Sequence, residues 1–332
     1  MVDHYDDSDL PDPSLARYLS RGAKFGVIAG AQAIEDAGAA NAPYAPHEKG
    51  NAMGSSVGRP DLQELSDVLN TRQASENHDL LRRSPLEIMI TSQNVGPGAL
   101  AQMGDFRGPM MGISTACTAS AHAVGEATRR IQEGEAKLML AGGADALTTW
   151  LDVLGFTLLG ALTKDYNDDP EHGSRPFDRD RTGFVLGEGA VMMVLEDMDA
   201  ARERGAKIYG EIAGYGSSLN AYRMTDPPPD GSGPDIAMNN ALRESGLAKE
   251  GIDHVVAHGT GTPGGDVSET MAIKRVFGDH AKNLAVNSNK SMIGHTTCAA
   301  GALSLMSALL AMRDGVIAPT LNLDNPDPEL DL

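Results

Sequence analysis

Gly112-Ile113-Ser114-Thr115-Ala116-Cys117-Thr118-Ala119-Ser120-Ala121 is the stretch from which the fold can be read. An apolar run beginning at Met110 ends in small residues, and these open an Ala-rich segment, Ser120–Gln132, with helical spacing. The order strand, turn, helix places Cys117 at or near a helix N-terminus. Unpaired backbone N–H groups and the helix dipole favour an anion there. Such a position lowers a thiol pKa and supplies the thiolate that a nucleophilic cysteine needs. The alternative is a buried structural cysteine, since free Cys is among the most buried residue types.

Outward from this unit the same alternation recurs. Lys137–Ala141, Ala190–Leu195, Ile208–Ala213, His254–Ala257 and Leu284–Ser288 read as strands, and Ala23–Ala37, Asp235–Glu244, Ser268–Phe277 and Ala299–Met312 as helices. That pattern predicts an α/β architecture with a substantially parallel or mixed sheet. From Asn41 to Arg83 the chain is rich in Gly, Pro and charge and reads as a surface excursion with one helix at 61–70. Two related halves are suggested, because the run from Gly294 through Cys298 to Gly301 repeats the strand, turn, small-residue-helix arrangement around Cys117.

The 332 residues carry 27 Lys+Arg against 46 Asp+Glu, a net charge of −19, which argues against nucleic acid as a partner. No uninterrupted apolar run approaches the ~20 residues of a membrane-spanning helix. The first residues, Met1 to Asp7, are acidic where a secretory signal is basic and then apolar. Cys117 and Cys298 are the only cysteines, too few for a disulfide framework in a chain this long. A cytoplasmic protein with no membrane partner is expected.

His254-Val255-Val256-Ala257-His258-Gly259-Thr260-Gly261-Thr262-Pro263 places two histidines four residues apart. Zincin chemistry needs a Glu beside the first His on a helix. Here the β-branched valines and the Gly-Thr-Gly-Thr-Pro that follows predict a strand with His258 at its C-terminal tip, so no shared metal face forms. The glycines also satisfy G-x-G-x-x-G, but Pro263 interrupts the turn and the next strand ends in no acidic residue to hold a ribose. In Asn287-Ser288-Asn289-Lys290-Ser291-Met292-Ile293-Gly294-His295, a lysine and a histidine again follow a strand. Each alone reads as a solvated charge or a structural ring. Together with Cys117 and His258 they fall where α/β sheets gather ligands, at the carboxyl ends of strands. Asp266 and Glu269 stand at the start of the next helix, where carboxylates complement the dipole. That suffices for Asp266, while Glu269 is equally suited to face Lys290 or a histidine.

These blocks resemble the β-ketoacyl-[acyl-carrier-protein] synthases, closest to the type II elongating enzymes and the ketosynthases of polyketide systems. The resemblance runs from Gln32-Ala33-Ile34-Glu35-Asp36-Ala37-Gly38 through Ser114-Thr115-Ala116-Cys117, Ala141-Gly142-Gly143-Ala144-Asp145, Ser174-Arg175-Pro176-Phe177-Asp178 and Gly183-Phe184-Val185-Leu186-Gly187-Glu188-Gly189-Ala190. It continues through Ala257-His258-Gly259-Thr260, Lys290-Ser291, Gly294-His295 and Asn322-Leu323-Asp324. It implies an α/β, thiolase-like fold of five αβαβα layers in two related halves, here 1–190 and 191–332, and a homodimer. It implies decarboxylating condensation with Cys117 as acyl acceptor and His258 and His295 on the malonyl thioester carbonyl. Lys290 and Glu269 then orient the histidines, Asp266 supports them, and Thr260 and Thr262 contact the phosphopantetheine arm. No metal or redox cofactor is implied.

The implied partner is acyl carrier protein, itself acidic, for which Arg175, Arg179 and Arg181 are candidates for a docking patch or are paired within the fold. The family normally opens with a further strand and Gly-rich turn, and continues past Asp324 into strands with a Phe-Gly-Phe-Gly-Gly loop. The chain therefore reads as shortened at both ends, and a catalytically impaired fragment or partner subunit is the alternative reading. Gly261 stands where the family often has Ser, and Cys298 where Gly is common. Cys298 is expected to pack at a helix start.

Overall fold

The computed structural model describes residues 2, 4–58, 66, 67, 70 and 89–332. The helix expected at 61–70 falls largely outside them. The chain divides into two compact units, one of Met1–Gly155, Gly187–Lys207 and Thr296–Ala302, the other of Phe156–Leu186, Ile208–His295 and Leu303–Leu332.

The first unit contains α1 (Arg21–Asp36), β1 (Lys49–Ser55), α2 (Val95–Gly104), β2 (Met110–Ile113), α3 (Ala119–Gln132), β3 (Leu138–Asp145), the first residues of α4 (Trp150–Leu158), β4 (Gly189–Glu196) and α5 (Met198–Glu203). Its sheet has the order β2-β1-β3-β4. β1 runs parallel to β2 and β3, and β4 antiparallel to β3. Helix α1 packs on β3 and β4 while α3 packs on β1 and β3. The central strands are thus covered and buried along their whole length, as parallel strands between helices must be. Val27, Ile34, Met53, Leu100, Leu138 and Leu140 form the core.

β1 corrects the reading of 41–83 as surface excursion. Lys-Gly-Asn-Ala-Met-Gly-Ser contains no β-branched residue, so propensity gives no strand signal. Its small residues instead let a strand pass between helices. Its two long polar side chains donate internally, Lys49 to the Gly104 carbonyl at 3.0 Å and the Asn51 amide to that of Pro97 at 3.0 Å, while the Asn51 Oδ1 is buried without a hydrogen-bond partner.

The second unit contains α6 (Ser232–Ser245), β5 (His254–Val256), α7 (Pro263–Phe277), β6 (Ala285–Asn287), α8 (Lys290–Ile293) and most of α9 (Ala300–Asp314). β5 and β6 are parallel. Ile273, Val276, Phe277 and Leu284 form its core with Met238, Leu242, Val255 and Val286 against them. The strand expected at 208–213 does not form. Among the described residues no ladder reaches it, and without a paired neighbour an apolar run gains no sheet. Ile208 and Tyr209 stay 42% and 41% exposed.

Candidate active site

In the first unit the position of Cys117 follows from two glycines. A Cβ on Gly54 would lie 2.4 Å from the Ser120 amide nitrogen, and one on Gly143 would lie 2.6 Å from the Ser120 Cβ. The N-terminus of α3 rests on β1 and β3 so closely that only glycine fits beneath it. The chain climbs from β2 through a 3-10 turn, Ala116–Thr118, into α3. Ala116 has φ 50°, a left-handed conformation that disfavours a side chain. Cys117 is half-buried on this turn, at the helix start that the sequence predicts.

The same unit holds a second turn of the same design. Thr297 has φ 45° and precedes Cys298 in the 3-10 turn Thr297–Ala299, which leads into α9. The two turns pack against each other and share the left-handed residue before the cysteine. Their thiols differ. Cys298 is 3% exposed, and burial, reinforced by the Asp145 carboxylate, pushes its pKa far up. Asp145 accepts from the Thr297 hydroxyl at 2.5 Å and the Cys298 amide at 3.0 Å. Cys298 is a protonated thiol packed at a helix start.

All the other candidates lie in the second unit, on the loops that leave the carboxyl ends of β5 and β6 and on the helices those loops enter. Beyond β5 the loop Ala257–Thr262 carries His258, Thr260 and Thr262. Beyond β6 the one-turn helix α8 begins with Lys290, and Gly294, at φ 71°, turns the chain so that His295 follows. The Ser288 hydroxyl joins the loops by donating to the Gly259 carbonyl at 2.7 Å. The His295 amide donates to the Val185 carbonyl at 2.7 Å.

These anchors set the imidazoles of His258 and His295 edge to face, with ring centroids 5.2 Å apart and planes at 85°. Phe184 closes on His295 at 4.9 Å. His295 is fully enclosed, while His258 is crowded by protein and keeps an edge open to solvent. Burial, then the Lys290 charge, lowers His295 to about 3. Burial, Lys290 and His295 hold His258 well below the usual imidazole range. Both rings are neutral at physiological pH, so each keeps one N–H donor.

Glu269 reaches His258 by way of the backbone, accepting from the amides of His258 at 2.6 Å and Gly259 at 2.7 Å. Burial raises its pKa against those two donors and Lys290. Asp266 accepts from Phe177 at 2.8 Å and Gly261 at 3.1 Å, and burial lifts its pKa to about 6. Both carboxylates therefore brace the loop beyond β5, a role the helix-dipole reading of Asp266 did not include. Thr260 and Thr262 share a hydroxyl hydrogen bond of 2.9 Å. His254 instead meets Asn287 at 2.8 Å, in keeping with the strand reading that separated it from His258.

The arginines are not a surface patch. Arg175 is buried against Asp178 at 3.1 Å, and Arg181 against Asp327 at 2.7 Å. Only Arg179 is exposed, 3.7 Å from Asp180. Desolvating a guanidinium demands a carboxylate partner, and Asp-rich neighbours at 178, 266, 324 and 327 provide it. Phe184 received no role from the sequence reading, although it stands in a quoted block; an aromatic beside a glycine gives no sign of the ring it will meet.

Two families match the chain, Beta-ketoacyl synthase, N-terminal domain over residues 8–201 and Beta-ketoacyl synthase, C-terminal domain over 209–324. The 3-oxoacyl-[acyl-carrier-protein] synthase 2 of Synechocystis sp. is 41% identical over 332 residues, covering 100% of this chain and 78% of that protein. The protein of the same name from Vibrio cholerae is 43% identical over 316 residues, covering 95% of this chain and 75% of its own. Among solved structures, a beta-ketoacyl synthase from Burkholderia phymatum superposes with a TM-score of 0.86 at 33% identity, over 98% of this chain and 78% of that one. A type II polyketide ketosynthase in complex with its acyl-carrier protein gives 0.85 at 30% identity, over 94% and 76%. With both domains matched along nearly its whole length, the chain belongs to the β-ketoacyl-[acyl-carrier-protein] synthase family and has its thiolase-like α/β fold.

Proposed function

We propose that the protein condenses an acyl chain held on Cys117 with malonyl-[acyl-carrier-protein], giving 3-oxoacyl-[acyl-carrier-protein] and carbon dioxide. The observation that carries this reading is the His258–His295 pair, a buried imidazole and a solvent-edged one set edge to face and kept neutral by their surroundings.

In this reading the Cys117 thiolate attacks the carbonyl of an acyl thioester, and the carrier leaves as its thiolate, which takes a proton from solvent. Malonyl thioester then enters with its carbonyl oxygen toward the two imidazole N–H groups. Its carboxylate leaves as carbon dioxide, and the bonding pair passes into the thioester carbonyl as an enolate. Preorganised donors aimed at such developing charge are each worth ~2.7–4 kcal/mol. The enolate carbon attacks the Cys117 thioester, forming the new carbon–carbon bond and releasing the thiolate. Burial, helped by the Lys290 charge, keeps both rings unprotonated, Glu269 and Asp266 hold the loop that bears His258, and Thr260 and Thr262 face the phosphopantetheine arm. Decarboxylation itself generates the carbanion, so the chemistry calls for no metal or redox cofactor.

Acyl carrier protein is the proposed partner. A homodimer is proposed through β2, an edge strand whose Met110 is 47% exposed and whose outer backbone groups would pair with a second copy. The test is incubation with acyl- and malonyl-carrier proteins and mass spectrometry of the carrier. The expected result is a 3-oxoacyl carrier that Cys117→Ala does not form; free carrier with no condensed product contradicts the reading.

A further inference from the structure

The turn that presents Cys117 is held by three side chains outside the set described above. The Thr115 hydroxyl lies 2.9 Å from His122 Nδ1, on the first turn of α3. The Thr118 hydroxyl donates to the Thr115 carbonyl at 2.7 Å and lies 3.2 Å from the Thr115 hydroxyl. These bonds span the turn from 115 to 122 and enclose Ala116, the residue at φ 50°, together with Cys117. A non-glycine residue in that conformation persists only where its surroundings over-determine it. At the sister turn that task falls to Asp145, which binds Thr297 and the Cys298 amide. The Cys117 turn uses hydroxyls and an imidazole instead.

The proton count closes. Thr118 has one hydroxyl proton, committed to the Thr115 carbonyl. With the ring protonated at Nδ1, that N–H donates to Thr115 Oγ1, whose own proton passes to Thr118 Oγ1. With Nδ1 bare, the Thr115 proton turns to the ring instead. The span is therefore kept in either state of the imidazole.

We propose that His122 is a positioning residue for the nucleophile, acting through Thr115 to hold the left-handed Ala116 backbone that aims the Cys117 sulfur; this rests on the reading of Cys117 as acyl acceptor. His122 has no contact with substrate in this scheme.

The experiment uses the full chain and reads two rates, alkylation of Cys117 by iodoacetamide, mapped by peptide mass spectrometry, and steady-state condensation with carrier thioesters. His122→Ala and Thr115→Val should each slow alkylation and lower kcat on the order of tenfold, short of the ~100-fold that a 1 Å misplacement costs. KM should stay unchanged and Tm should move by less than about 3 °C. The double variant should be no slower than either single one, because the pair acts as a unit. His122→Asn, whose amide reaches the place of Nδ1, should recover most of the rate. Unchanged rates in His122→Ala, additive losses in the double variant, or losses that track a fall in Tm would overturn the proposal. Wild-type protein that is alkylated at Cys117 yet never acylated by a carrier thioester would instead overturn the reading of Cys117 as acyl acceptor, and the alkylation rates would still judge His122.

Discussion

The imidazole of His258 stands perpendicular to that of His295, its centroid 5.2 Å away, in surroundings that keep both rings uncharged. An imidazolium pair so close would repel and would be desolvated twice over. Neutral rings avoid both costs and still offer N–H groups to an oxyanion.

The pH dependence follows from the direction of these shifts. An unfolded histidine takes up a proton below about pH 6.5, whereas His295 in the fold does so only at about 3. The unfolded chain therefore binds more protons in that interval, and stability falls as pH drops through it. Decarboxylation of malonyl carrier by the Cys117→Ala protein, in which no thiol titrates, should be flat from about pH 5.5 to about pH 8. An acidic limb centred near the ordinary imidazole value would show that a ring is protonated in the working range.

Removal of either donor should be felt mainly in turnover. His258→Ala or His295→Ala should lower the decarboxylation kcat by ~10²–10³, with acylation of Cys117 less affected. His295→Asn, which keeps an N–H, should lie between. Stopped-flow detection of carbon dioxide separates the two steps, and equal losses in both would remove the histidines from enolate stabilisation.

Asp266 behaves in the opposite sense to the histidines. Its folded pKa is raised to about 6, above the unfolded value of about 3.9. Its contribution to stability is complete below that unfolded value and is lost as pH rises through about 6. Measured against Asp266→Asn, the wild type should therefore lose relative stability between those limits as pH rises. Denaturant titrations at a series of pH values give the difference directly, and a difference independent of pH would contradict the burial argument.

Gly54 tests whether helix seating matters to the nucleophile. Gly54→Ala would set a methyl 2.4 Å from the Ser120 amide nitrogen, against backbone that cannot rotate away. Overpacking of this kind costs about 1–3 kcal/mol, and the displaced α3 should carry Cys117 with it. Thermal unfolding and Cys117 alkylation should both report the change; wild-type values in both would show that the close approach is incidental.

How far the sequence could be read depended on where its signals are local. Cys117 at a helix start and His258 at a strand tip are legible, because an apolar run in the one case and two β-branched valines in the other give way to small residues that mark those turns. β1 was illegible, since Gly50, Asn51 and Gly54 suit a strand only when helices lie close on both sides. The strand expected at 208–213 has the right residues, yet a strand is a pairing, and pairing is not written in one segment. For Arg175 and Arg181 the sequence leaves a docking patch and internal pairing equally open, because their carboxylate partners, Asp178 and Asp327, come from loops whose meeting only the fold decides. The same holds for Thr115 and His122, seven residues apart and joined only by the geometry of the turn.

The most direct measurement is the site of acyl attachment. After brief incubation with an acyl carrier thioester and acid quenching, peptide mass spectrometry should find the acyl mass on the peptide containing Cys117. The Cys298→Ala protein should be labelled as fully as the wild type. Acyl groups on Cys298, or none on either thiol, would contradict the assignment of Cys117 as the residue that carries the growing chain.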